Sequence, residues 1–304
     1  MKVFVLAIDA LEHDLVEKFR LNNLKQTEYG KIDVSGFRSY HPSSLLCTPL
    51  IWASFISGVM PDKHKVSDYY RWNSNFLQRM SKVSKELGLT KIVGKLGFLS
   101  FLDAKIRPFG HTDWRKTGLR TIFDYASNPI ALGVPTYSYD EQIMRNKKLI
   151  KYVLEKRITE KEFEKIVMKT YQERCRIAFS LLDQDWDLFM LYIHGISDLF
   201  GHLFFGDTKR MLKAYLELNY LAGRIKKRIK GGVLFLIVSD HGMVNLGTFG
   251  KHKSKKYGEH SNHGFYSINT RLDLQNPMIT NFFGVITHHL QTNKSTGSIS
   301  APKA

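Results

Sequence analysis

The sequence predicts an α/β fold, with a mostly parallel central sheet and helices on both faces. Three observations carry that expectation. The segments KVFVLAI (2–8), LFMLYIHG (188–195) and GGVLFLIVSDHG (231–242) are short and apolar, the last of them also β-branched, as strands buried on both faces are. Charged helical periodicity fills much of the chain between them. Acidic residues stand at or just past the ends of the three runs: Asp9, Asp198 and Asp240. Ligands of such sheets collect outside the carboxyl ends of the strands, so the three residues are expected on one rim.

In chain order, residues 2–8 read as a strand ending at Asp9, 11–20 as a helix and 31–40 as an extended segment. PSSLLCTPLIWASFISG passes from loop into helix, with Thr48-Pro49 near its start, where proline fits the first turn. Residues 75–118 are Lys-rich and enclose the apolar stretch KIVGKLGFLSFL. TIFDYASNPIALGVPTYSY reads as a short helix, a turn and a strand. Helical periodicity dominates 140–183 and returns at 208–230. The polar end, QTNKSTGSISAPKA, reads as a frayed tail. Residues 1–290 are thus expected to form one domain, with a cap or insertion at 70–118 and a flexible tail at 291–304.

At 304 residues the chain can bury a sizeable core, and 43% apolar with 24% charged residues is ordinary globular composition. No apolar run is long enough to span a bilayer, and the N-terminus reads as a core strand rather than a signal peptide. Only two cysteines occur, Cys47 and Cys175, without metal-binding spacing, which suits a reducing cytoplasm. The net charge of +17 is spread through nearly every segment. It fits first a solvated surface, and after that an attraction for phosphorylated substrates, nucleic acid or an anionic membrane surface. The oligomeric state is not legible.

The candidate site residues differ in how much they say alone. Asp9 is as readily a helix cap as a ligand. Asp198 and His202, four apart in DLFGH, share one face of a helix, the usual arrangement for two ligands on one ion. Asp240-His241-Gly242 is sharper, because a polar dyad directly after an apolar strand is costly to bury unless something binds it. His260 in GEHSNHG is uninformative by itself. Thr48 would pass as a helix cap, but a hydroxyl at a helix N-terminus faces a site that holds phosphate.

Taken in order, a strand-end Asp, TP-x4-SF-x2-G, DxxGH, SDHG and GEHxxxG resemble the alkaline phosphatase superfamily, and most closely its type I phosphodiesterase and nucleotide pyrophosphatase branch. The resemblance covers roughly residues 2–70 and 120–270 and implies an alkaline-phosphatase-like fold. It implies Thr48 as nucleophile and two divalent ions. One would be held by Asp198, His202 and His260, the other by Asp9, Asp240, His241 and the Thr48 oxygen. Mixed carboxylate and imidazole ligation suits zinc, with manganese as the alternative. The implied activity is hydrolysis of a phosphorylated small molecule through a phosphothreonine intermediate.

Two departures bear on specificity. The branch carries an Asn shortly after the nucleophile helix, where this chain has Tyr69, and its His-Gly in that turn reads His64-Lys65. Arg71 or Lys65 could replace the lost donor, and His263 could face the substrate. His194 could border the site or serve the strand end. Trp52 and Phe55 read as core, Cys47 as a small buried hydrophobe. A phosphodiesterase is the leading expectation, with Tyr69, Tyr70 and Trp72 as an aromatic surface for the second ester group. The alternatives are a phosphomonoesterase on the same metals and, in another class, a nucleic-acid or anionic-lipid binding protein with a vestigial site.

Overall fold

The computed structural model describes residues 2–41, 44–66, 70–71, 107–108, 114, 117–138, 141–229, 231–249 and 253–296. The central strand β1 (Lys2–Ile8) pairs in parallel with β6 (Leu188–Ile193) on one side and β7 (Val233–Val238) on the other. Outside β6 lies β5 (Pro129–Leu132), also parallel. Outside β7 lies β10 (His263–Ile268), antiparallel, which pairs with β2 (Glu28–Asp33) at the edge. The six-stranded order is β2-β10-β7-β1-β6-β5, so the sheet is mostly parallel as its apolar runs imply.

Alternation along β1 divides the core in two. Val3, Val5 and Ala7 face one layer, with α2 (Thr48–Ser57) and α8 (Asn281–Thr296) packed on it. Phe4, Leu6 and Ile8 face the other. That layer is covered by α5 (Glu160–Leu181), α6 (Asp198–Phe204) and α7 (Thr208–Arg228), with α4 (Glu141–Leu154) and the short α1 (His13–Lys18) at its margin. Every residue of α2 is buried, which explains its apolar character all round. It ends at Gly58, whose φ of +70° is left-handed and whose missing Cβ makes room for the Phe283 ring. Trp52 and Phe55 are fully buried, as expected of core residues.

Several expectations need adjusting. The segment 31–40 is only partly extended: β2 begins at Glu28 and stops at Asp33, and Ser35–Tyr40 forms a 3-10 turn. The cause is local, since Asp33 Oδ1 accepts the Ser35 N–H at 2.9 Å and takes the chain out of the ladder. Helix α8 continues through Thr296, past the start of the stretch read as a frayed tail, because Phe282, Ile286 and Leu290 anchor it in the core. Cys47 is half-buried rather than buried. Of the segment 70–118, β3 (Tyr70–Arg71) pairs antiparallel with β4 (Arg107–Pro108), and Trp114 is buried. Apart from Thr117 and Gly118, the remainder of the cap expectation, KIVGKLGFLSFL included, lies outside the described residues. No described helix is long and apolar enough to cross a membrane.

Candidate active site

Four segments bring the site together at the carboxyl ends of β1, β6 and β7. Asp9 follows β1 directly, Asp240-His241 follow β7 after Ser239, and Asp198 opens α6 just beyond β6. His202 lies one turn further along α6, on the same face as Asp198. A short ribbon supplies the last ligand candidate. β8 (Met243–Asn245) pairs antiparallel with β9 (Gly258–His260), placing His260 opposite Met243, two residues past His241.

Two clusters result. Asp198 Oδ1 lies 3.3 Å from His202 Nε2 and 3.6 Å from His260 Nε2, and those two nitrogens are 3.1 Å apart. His241 Nε2 lies 3.5 Å from Asp9 Oδ1 and 3.3 Å from Asp240 Oδ2. The His241 and His260 rings stack with centroids 3.7 Å apart, so the clusters adjoin. Thr48 Oγ1, at the start of α2, stands 3.3 Å from His241 Nε2. Among the described residues, each trio can converge on one cation.

Backbone carbonyls fix the imidazoles. Nδ1 of His202 lies 3.1 Å from the Gly258 carbonyl, that of His260 3.1 Å from Leu46, and that of His241 3.1 Å from Gly242. A carbonyl only accepts, so each Nδ1 carries a proton, and in the neutral ring each Nε2 presents a lone pair. His202 and His260 therefore face each other through acceptors. Asp9 Oδ1, Asp198 Oδ1 and Asp240 Oδ2 are buried without a hydrogen-bond partner. Lone pairs converging with no donor between them are costly to bury, and a divalent cation is the group that answers this donor set.

The electrostatics agree. Burial, followed by the charge on Asp9, pushes the Asp240 carboxyl well above the usual carboxylate range. Burial, followed by His260, pushes His241 down to about 3, so its ring is neutral. Burial also opposes ionisation of Asp198, but without a cation a proton on the facing His202 ring outweighs it and holds that carboxyl well below its ordinary value, while Asp198 raises His202 against that ring's own burial. A bound cation would favour the anionic form of all these carboxylates.

Asp9 has an outer shell of its own. Its Oδ2 accepts the Tyr192 hydroxyl at 2.5 Å and contacts His194 Nδ1 at 2.9 Å, which leaves Oδ1 to face His241. His194 thus borders the site through Asp9. It also forms a third trio with Asp9 and Asp198. Tyr192 and Ser239 were not legible as site residues. Each lies inside or against an apolar strand, where a lone hydroxyl passes for packing. Ser239 Oγ accepts the Leu11 N–H at 2.8 Å and donates to the His241 carbonyl at 2.7 Å, joining the β1 and β7 loops.

The structure thus brings together Asp9, Thr48, Asp198, His202, Asp240, His241 and His260. It does not bring His263 into any of the three trios: that residue is exposed and stands opposite Asp33 in the β2–β10 ladder. Tyr69 and Trp72 lie outside the described residues, as do the side chains of Tyr70 and Arg71. Lys65 is exposed, with left-handed φ of +55° at the end of α3 (Pro61–His64).

A human ectonucleotide pyrophosphatase/phosphodiesterase 5 structure aligns at TM-score 0.51 and 12% identity, covering 96% of this chain and 95% of that one. The murine protein aligns at TM-score 0.42 and 13% identity, covering 82% of this chain, which spans 59% of the murine chain's length. An inactive variant of the murine protein has been solved in complex with AMP. A TAB5 alkaline phosphatase mutant with Mg in its M3 site aligns at TM-score 0.48 and 9% identity, covering 95% of this chain and 97% of that one. No curated protein sequence matches. The family model for type I phosphodiesterase / nucleotide pyrophosphatase matches residues 3–261, a span that holds all seven residues of the clustered site, and the chain belongs to that family.

Proposed function

We propose that this chain is a metal-dependent phosphodiesterase that works through a phosphothreonine formed on Thr48. The observation that carries the reading is the convergence of two all-acceptor clusters beside a hydroxyl at a helix start. Asp198, His202 and His260 would hold one divalent ion; Asp9, Asp240 and His241, with the Thr48 oxygen, would hold the other. Imidazole with carboxylate favours zinc, with manganese as the alternative. When bound, such ions neutralise charge on the phosphoryl oxygens and favour the deprotonated form of an alcohol or water.

The chain's own residues do the rest. The buried α2 fixes Thr48, and the helix N-terminus offers a positive dipole end to the phosphoryl group. Thr48 Oγ1 gives up its proton and forms the bond to phosphorus, and the ester oxygen leaves with its electron pair and takes a proton from solvent. Water then attacks phosphorus, and Thr48 Oγ1 leaves and regains a proton. Burial of Asp9, Asp240 and His241 keeps bulk water from competing for their lone pairs.

Diesters are the proposed substrate class, with phosphorylated small molecules as the general category. Family membership supports this, as does the run of aromatic residue types at Tyr69, Tyr70 and Trp72, which could receive a second ester group. The test is one preparation, first assayed for metal, then for kcat/KM on bis-p-nitrophenyl phosphate and p-nitrophenyl phosphate. The expected result is close to two tightly held ions per chain, activity abolished by chelation, and the diester favoured. Full activity in stripped protein would falsify the metal chemistry. A tenfold monoester preference, about 1.4 kcal/mol, would overturn the diester assignment alone.

A further inference from the structure

Glu12 lies three residues past Asp9 and is buried, yet no step of the chemistry uses it. Its Oε2 accepts the Met243 N–H at 2.9 Å and lies 3.1 Å from Ser261 Oγ. Its Oε1 accepts the Asp14 N–H at 3.1 Å, and its own N–H donates to the Tyr215 hydroxyl at 2.8 Å. Met243 follows His241 by two residues and Ser261 follows His260 by one. A single carboxylate therefore joins the loop after β1 to the two loops that carry His241 and His260.

The fit is tight on the remaining side. A Cβ on Gly242 would lie 2.1 Å from Glu12 Oε2 and 2.8 Å from Ser261 Oγ. The Ser261 N–H also donates to the Gly242 carbonyl at 3.0 Å, so these loops meet backbone to backbone around the carboxylate. Burial raises the Glu12 carboxyl, and the bonds from Asp14, Met243 and Ser261 pull it back. A carboxylate is an expensive way to fill a buried space that an apolar side chain could fill. Its two oxygens, however, can take several donors from separate loops at once.

We infer that Glu12 is a positioning residue, which sets the loops of Asp9, Asp240-His241 and His260 against one another so that both ligand trios keep their spacing. The inference rests on the metal reading above. It assigns Glu12 no contact with substrate or ion, and its effect passes through the Met243 amide and the Ser261 hydroxyl.

The experiment uses the full chain, stripped of metal and then titrated with Zn2+, as parent, Glu12→Gln and Ser261→Ala. Glutamine keeps the volume but turns an amide nitrogen toward a donor that the carboxylate accepted. Three quantities are read: hydrogen exchange at the Met243 amide in stripped protein, Zn2+ affinity, and kinetics on bis-p-nitrophenyl phosphate. Glu12→Gln should speed Met243 exchange at least tenfold and weaken Zn2+ binding by roughly 10- to 100-fold. It should also lower kcat while KM changes less than twofold. Ser261→Ala removes one of the two contacts on Oε2 and should shift all three quantities the same way by less. Unchanged Zn2+ affinity and kcat in the folded variants overturns the inference, as does a change confined to KM. If Glu12→Gln does not fold, Ser261→Ala decides by the same criteria. A parent that takes up neither Zn2+ nor, in a parallel titration, Mn2+ counts against the metal chemistry instead. Met243 exchange then judges Glu12 separately, and an unchanged rate in the variants overturns its role.

Discussion

Thr48 occupies a position where removing one oxygen should separate chemistry from structure. Its Oγ1 faces His241, while Pro49 and the buried apolar residues that follow it hold the helix start. Thr48→Ala should therefore lower turnover by several orders of magnitude, with most of the metal binding retained and thermal stability close to the parent. Thr48→Ser should retain part of the activity, since an oxygen remains. Near-parent hydrolysis by the alanine variant would place the nucleophile elsewhere. A second residue makes a pH prediction. His64 Nδ1 accepts the Val66 N–H at 3.0 Å, so its proton sits on Nε2, 2.9 Å from Ser54 Oγ. Ser54 Oγ in turn lies 3.2 Å from the Leu50 carbonyl. That chain requires the neutral ring, and burial pushes His64 down to about 4 from its ordinary 6.5. A lowered folded value means stability is complete above about pH 6.5 and is lost as pH falls toward 4. The size is on the order of 3 kcal/mol. Urea unfolding of His64→Gln should show a shallower acid limb than the parent; equal slopes would refute the assignment.

At the scale of elements, what was legible follows from how each one is buried. The strands β1, β6 and β7 are apolar on both faces, so they stand out as continuous runs, and the residues after them mark the site rim. β8 and β9 have three residues each, too few to show any period, and so the ribbon that positions His260 left no pattern. β10 is buried at nearly every position and begins with an exposed His263, so alternation is missing there too. Glu12 and Tyr192 went unread for a different reason. Their roles depend on Met243, Ser261 and Asp9, which are remote in sequence and meet only when the sheet forms. Helix α8 repays a test because its polar C-terminal half hides its contribution. Phe282 is fully buried and touches the Phe55 and Tyr266 rings, with centroids 6.5 and 5.5 Å away. Phe282→Ala should cost about 3–5 kcal/mol by urea unfolding, the usual range for a buried aromatic. A loss below about 1 kcal/mol would show that α8 is dispensable to the core.

For the whole molecule, the sheet's main work is to bring remote segments to one rim. Asp240 is carried by β7 and His202 by α6, yet His241 and His260 stack between their clusters. The two trios rest on different elements and act, in the proposed chemistry, on one phosphoryl group. Two consequences separate this arrangement from two independent sites. Asp240→Asn and His202→Ala should each lower kcat/KM by several orders of magnitude, because each removes a ligand from a different trio. Their double variant should then lose little more than the worse single one, since groups that act as a unit lose most of their effect at the first deletion. Independent contributions would instead multiply, and the logarithms of the two losses would add. The measurement is a double-variant cycle on bis-p-nitrophenyl phosphate, with metal content followed in all four proteins. Strong single losses with a coupling near zero would mean that Asp240 and His202 serve separate steps. Two modest and additive losses would mean that they share no transition state, and the reading of one bimetallic rim would fall.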